Sequence, residues 1–335
     1  MGWLARLGFD RRSAAAKARV ADVRMAPSRA GTKIWAIGGG KGGVGKSLIA
    51  STMGVLLSEY GKKVLLVDAD FGAANLHTLI EGNENGLSLS NFLLTGARWD
   101  LSCVISGTAI PNLEFISGGR DSLDVADFSD DRLSKLWKAL RRVEHDYVLL
   151  DVGPGTSSSN LDIFLGVDEG ILVTTPDPTS IENMYRFLKC LYSRQMKKIM
   201  GSGENIRLRE AIQEVVRSNG NPGLMSLADI LSNLDRIDAA LGSELRDLLG
   251  SDKISLIVNQ AKSSEDSELG ASIARACHSY FGFNVRRLGC VFYDDVVVGA
   301  IRSRKTLALH YKRSKTVRTI GRCVDRLLEK EEEGY

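Results

Sequence analysis

The chain has 335 residues, 44% of them hydrophobic and 25% charged, with a formal net charge of +3. That size buries a full core in one α/β unit with decorations, and the balance is that of an ordinary water-soluble globule, not of a collagen-like or disordered chain. No run approaches the roughly 18 apolar residues of a membrane span, and so small a charge does not by itself announce a nucleic-acid partner.

Residues 1–32 read as a basic leader, with eight Lys or Arg through Lys33 against Asp10 and Asp22. It lacks the apolar stretch of a secretory signal and is expected to be flexible. Trp3, Leu4 and Leu7 share one helical face beside Arg6 and Arg11, a pattern that fits either a peripheral membrane foothold or a docking peg. From Lys33 the chain becomes regular. Apolar, β-branched runs recur at Ile34–Ile37, Val64–Val67, Leu113–Ile116, Tyr147–Leu150, Gly170–Thr174, Ile254–Val258 and Val285–Val291. Nearly all lack polar alternation, the mark of strands buried on both faces of a parallel sheet. Segments of helical period lie between them, at Ser47–Tyr60, Asp130–Val143, Ser180–Met200 and Glu268–Phe281. Strand–helix–strand alternation predicts a doubly wound, mostly parallel sheet of about seven or eight strands, spanning residues 33–325. A polar insertion at about 201–250 interrupts the rhythm. Its apolar residues, among them Ile212, Val215, Leu227, Leu231, Leu241 and Leu245, recur at helical spacing around an Asn221-Pro222-Gly223 break, which predicts helices packed beside the sheet. A last helix, Thr316–Lys330, runs into an acidic tail at 326–335.

The strongest local signal is Gly40-Lys41-Gly42-Gly43-Val44-Gly45-Lys46-Ser47, followed by Leu48, which satisfies G-x-x-x-x-G-K-[ST] directly after the first apolar run. Glycines let consecutive backbone N–H groups approach phosphate oxygens, and the following helix points its positive end at them. Lys46 is placed to reach the β- and γ-phosphates and the Ser47 hydroxyl to ligate Mg²⁺. Such a site needs carboxylates at strand ends. Asp151 ends Tyr147–Asp151 ahead of Gly153-Pro154-Gly155, and Asp68 and Asp70 end Val64–Asp70. An acid at a strand end serves either as a helix cap or as a metal-holding group.

Lys41-Gly42-Gly43-Val44-Gly45-Lys46-Ser47 resembles the deviant Walker A motif of the MinD/ParA family of P-loop ATPases. The likeness extends over most of residues 33–325. Asp68–Leu76 resembles that family's switch I and Asp151–Thr156 its switch II. Thr174–Ser180 and Ile257-Val258-Asn259 look most like the FlhG or FleN branch, which regulates flagellar number. The resemblance implies ATP and Mg²⁺ as cofactors and slow hydrolysis without an activating protein. It also implies an ATP-dependent homodimer in which Lys41 reaches the partner's phosphates. By the same resemblance Asp70 positions the attacking water, Asp68 and Asp151 support the metal, and Asn259 binds adenine with Asp294 nearby. Phe292 stands where the family usually has proline, and the leader lacks the glutamine-rich motif of the flagellar regulators.

The expected output is spatial or numerical control of a cellular structure, flagella foremost, through an effector such as a flagellar assembly factor. The alternatives are a partition ATPase binding DNA non-specifically and a MinD-like division-site regulator. A basic run with no intervening acid, from Arg302 through Arg304, Lys305, Lys312, Arg313, Lys315 and Arg318 to Arg322, fits either a nucleoid contact or a solvated face. Five scattered cysteines form no C-x-x-C, and His77, His145, His278 and His310 make no metal-ligand spacing. No metal cluster is expected, and the location is cytoplasmic, with contact at the inner membrane the one variant.

Overall fold

A computed structural model describes residues 31–71, 74–82, 86–94, 100–119, 130–218, 225–249, 253–282 and 285–332. The sequence readings for residues 1–30, Gly72-Ala73, the Asn221-Pro222-Gly223 break and residues 333–335 lie outside them.

The centre of the molecule is β1 (Lys33–Gly38), fully buried after its first residue. Ile34 and Ala36 point to one face and Trp35 and Ile37 to the other, each into a separate apolar cluster, so no polar alternation survives. On either side lie β5 (Tyr147–Val152) and β6 (Glu169–Thr174). Outward from β5 come β2 (Val64–Ala69), β4 (Leu113–Ile116) and β3 (Ser106–Gly107). Outward from β6 come β7 (Ile254–Ala261) and β8 (Arg286–Phe292). The order is β3-β4-β2-β5-β1-β6-β7-β8, and every pairing is parallel except β3 with β4. The seven runs read from sequence are seven of these strands. The two-residue β3 was not foreseen, because so short a piece exists only through its pairing with β4.

One face carries α1 (Lys46–Glu59), α11 (Leu307–His310) and α12 (Lys315–Glu332); α10 (Asp295–Arg302) follows β8. Val317, Ile320, Cys323, Val324 and Leu327 of α12 are buried in the same cluster as Ile49, Met53 and Leu57 of α1. Polar bonds pin this helix as well. Tyr60 Oη donates to Asp325 (2.9 Å), Tyr147 Oη to Glu331 (2.6 Å), and Lys330 Nζ to the buried Glu169 (2.7 Å). Residues 326–332, read from sequence as the start of a tail, are thus part of a packed helix. The apolar face of α12 is spent on the core and is not a membrane foothold.

The other face carries α3 (Asp130–Leu140), α4 (Ser158–Leu165), the 24-residue α5 (Pro178–Gly201) and α9 (Ser264–Phe281), with the short α2 (Leu89–Leu94) beside them. The insertion forms α6 (Ile206–Ser218), α7 (Leu227–Ile237) and α8 (Ala239–Leu249). Leu208, Ile212, Leu227, Ile230, Leu234, Leu241 and Leu245 bury their side chains in the cluster that holds Leu188 and Leu191 of α5. The insertion therefore shares the main core. At the β8 margin Arg326 donates to the Leu288 carbonyl and Arg287 to that of Ser267. No helix among the described residues is long and apolar enough to cross a membrane.

Ile320 is fully buried between α12, α1 and the sheet. Ile320→Ala should destabilise the chain by about 2–5 kcal/mol in denaturant titration.

Candidate functional site

The C-terminal ends of β1, β2 and β5 bring the phosphate loop and the three acids to one place, at the point where β1 is flanked by strands reached in opposite directions. The loop leaves β1 at Gly38 and enters α1 at Lys46, with Gly43 at φ +77° and Gly45 at φ +93°. Gly45 is fixed by crowding as well as by conformation, since a Cβ there would lie 2.2 Å from Nδ2 of Asn259. At Gly40 an added Cβ would lie 2.0 Å from the Asn183 carbonyl of α5. Around Gly43 there is open space, where the loop can admit a ligand.

Lys46 is buried, its Nζ 3.4 Å from the Lys41 carbonyl, so the side chain crosses the loop it belongs to. Burial lowers its pKa, and the Asp151 and Asp70 charges oppose that fall. Leu48 lies in the first turn of α1, its side chain packed on the apolar cluster. Asp151 is 2% exposed. One of its oxygens is bonded to the Ser47 hydroxyl, and Oδ1 has no partner among the described residues. Burial raises its carboxyl to about 7, helped by Asp68 and opposed by Ser47 and Lys46. Burial likewise lifts Asp68 to about 6, against N–H donation from Leu76 and Asp70. Asp68 accepts those two bonds at 3.1 Å each, so it anchors the segment after β2. Asp70 lies against Gly153, whose added Cβ would stand 3.0 Å from Asp70 Oδ1. The segments after β2 and β5 therefore meet.

These residues fit Mg²⁺. A hydroxyl, an orphaned buried carboxylate oxygen and further carboxylates beside it make an all-oxygen set, and Mg²⁺ keeps several of its own waters. Among the described residues no group of three or more His, Cys, Asp or Glu could hold a metal by itself, so the phosphates and waters must complete the shell.

Three other sequence candidates have defined places. Lys41 donates to Thr179 Oγ1 in the first turn of α5 (3.0 Å). Asn259 donates Nδ2 to the Val44 carbonyl (2.8 Å), which ties β7 to the phosphate loop and leaves Oδ1 as the acceptor end of the amide. Asp294 is held by backbone N–H groups. Its Oδ1 accepts from Val296 N and its Oδ2 from Lys315 N, so the carboxylate joins the starts of α10 and α12. Each oxygen thus carries one backbone bond, which fixes the carboxylate at the margin of the cleft that Lys312, Lys315 and Arg318 also line.

Sequence reasoning missed Asn160 and Thr179. Asn160 Nδ2 donates to the Gly153 and Pro154 carbonyls (3.0 and 3.1 Å), fixing the loop after Asp151. That loop also reaches the phosphate loop, through Gly155 N on the Gly39 carbonyl (3.4 Å). A buried amide beside Leu161 was the available signal for Asn160. Thr179 carries none, since its partner arrives only through the fold.

The ParA family profile, described as the NUBPL iron-transfer P-loop NTPase, matches residues 31–214. The chain belongs to the MinD/ParA family of P-loop NTPases. Among its MinD/ParA relatives, the septum site-determining protein MinD of Helicobacter pylori is 30% identical over 198 residues, 58% of this chain and 72% of that protein. The flagellum site-determining protein YlxH of the same organism is 32% identical over 173 residues, 48% of this chain and 54% of YlxH. In fold, the chain resembles MinD of Pyrococcus horikoshii complexed with Mg-ADP, with a TM-score of 0.56 at 20% identity over 88% of this chain and 96% of that one. It also resembles a putative plasmid partition protein of Borrelia burgdorferi bound to AMPPNP, with a TM-score of 0.57 at 19% identity over 89% and 99%.

A MinD/ParA site with this acid pair has a specific pH signature. Folded Asp68 and Asp151 titrate near 6 and 7, above the usual carboxylate value of an unfolded chain, so between about pH 4 and 7 the folded state holds more protons and their contribution to stability falls as pH rises. The doubly substituted Asp68→Asn, Asp151→Asn protein cannot ionise there. Its melting temperature without nucleotide should therefore gain on that of the parent from pH 5 to pH 8, and a constant difference would contradict the assignment.

Proposed function

We propose that this chain is a Mg²⁺-dependent ATPase acting as an ATP-driven monomer–dimer switch for numerical or spatial control of a cellular structure, flagella foremost. The observation that carries the reading is the convergence of Lys46, Ser47, Asp68, Asp70 and Asp151 on one open loop of positive-φ glycines. Ser47 and Asp151 would hold Mg²⁺, which neutralises phosphate charge when bound. Lys46 supplies a fixed cation from below the loop, and Asp70 is placed to orient water. Phosphoryl transfer is chiefly positioning and charge stabilisation, so these roles account for basal turnover.

Lys41 is the second cation. Its bond to Thr179 holds it on its own α5, so in the monomer it is kept away from any neighbour. ATP would favour the dimer by adding contacts present only there, including Lys41 on the partner's phosphates. The flagellar output rests on the resemblance of Thr174–Ser180 and Ile257-Val258-Asn259 to the FlhG branch and on the partial match to YlxH.

A second reading, non-specific DNA binding, has its own observation. Lys312, Arg313, Lys315 and Arg318 surround one cleft with His310, at the start of α12, and Arg302, Arg304, Lys305 and Arg322 are exposed on the same run. Salt-sensitive, ATP-dependent retention on random duplex, lost when these charges are reversed, would favour it. A MinD-like division role is the third.

With Mg-ATP, the parent chain should sediment as a dimer and Lys41→Ala as a monomer, with turnover lower by roughly 100-fold or more. Identical sedimentation would refute the switch. Pull-down from lysate with Asp70→Ala held in ATP separates the outputs by what is recovered: flagellar assembly factors, division proteins or DNA.

A further inference from the structure

The end of β7 departs from regular pairing with β8 where it meets the phosphate loop, as it also does earlier in the strand, between Leu256 and Ile257. Between Val258 and Ala261 β7 runs three steps against two in β8, so the pair Asn259 and Gln260 forms a bulge with one extra residue. Tyr293 N closes the bulge on the Ala261 carbonyl at 2.9 Å. Gln260 sits there at φ +58°, in the left-handed region that costs a side-chain-bearing residue about 1–2 kcal/mol. It is exposed, so no apolar burial offsets that cost. What the conformation achieves is a contact: Gln260 Nε2 donates to the Gly43 carbonyl at 3.3 Å, next to the bond from Asn259 to the Val44 carbonyl at 2.8 Å.

Two successive loop carbonyls are thus drawn toward β7 by two successive amides. In a planar trans peptide the C=O and the following N–H point in opposite directions. Holding the Gly43 and Val44 carbonyls on the β7 side therefore turns the N–H groups of Val44 and Gly45 away from it. Both flanking glycines have positive φ and little intrinsic preference for that arrangement, so an outside hold is needed to fix it.

We infer that Gln260 is a positioning residue of the nucleotide site: from its bulge it holds the Gly43 carbonyl and so presets the loop N–H groups that receive a phosphate. The inference rests on the nucleotide reading proposed above. Strain at a sheet end is retained where it orients a functional group, and here the oriented group is the backbone of the phosphate loop.

Gln260→Gly and Gln260→Arg separate this role from a structural one. Glycine removes the amide and relieves the left-handed backbone, whereas arginine keeps an N–H donor of similar reach. The glycine variant should melt at or above the parent temperature, yet bind Mg-ADP about fivefold more weakly by calorimetry, the loss of one neutral hydrogen bond. The arginine variant should return affinity close to the parent value. A glycine variant that binds as tightly as the parent, or an arginine variant as weak as the glycine one, would overturn the inference and leave the nucleotide site intact. A parent chain that takes up no adenine nucleotide would instead remove the site itself and the inference with it.

Discussion

Negative charge buried without full compensation is the constraint on which this molecule is organised. Asp151 sits at the end of a strand covered on both faces, with one oxygen on Ser47 and the other without a partner, beside a second desolvated acid at Asp68. Lys46 lies close enough to offset part of the cost, but burial weakens its own charge. Burying the pair therefore costs stability, which the N–H bonds to Asp68 and the charge of Lys46 offset only in part. The glycine loop, the segments after β2 and β5 and the β7 bulge are all arranged around that unfinished electrostatic balance.

The sheet makes the arrangement rigid. β1 is central, and its neighbours β5 and β6 pair with it in parallel, so the chain turns that follow β1 and β5 open at the same end. The far end is tied as firmly. Asp168 accepts from Ile34 N and is gripped by Arg141 through two bonds of 2.8 Å, and Thr32 donates to the Val143 and His145 carbonyls.

Much of this was legible in the chain because it depends on local pattern. Unalternating apolar runs gave the strands, and glycine spacing ahead of a helical period gave the phosphate loop. What stayed hidden depends on partners that only folding supplies. Strand β3 has no run of its own, and Thr179 and Gln260 are ordinary polar residues until α5 and β7 are packed against the loop. Asp294 shows another kind of hidden partnership. Its place in the sequence gave no sign that it also joins the starts of α10 and α12 through Val296 N and Lys315 N. Some boundaries could have been read more closely: Ser263 and Asp266 form a capping box that starts α9 four residues ahead of the period-based estimate, and Pro178 opens α5.

The two margins of the sheet bear on how copies of the chain can associate. On one side the outermost strand is only two residues long, too brief to template another. On the other, β8 begins with two arginines, and the Arg326 guanidinium occupies its Leu288 carbonyl. Among the described residues, both margins of the sheet are therefore poor templates for a further strand, and lateral growth into ribbons or fibrils is obstructed.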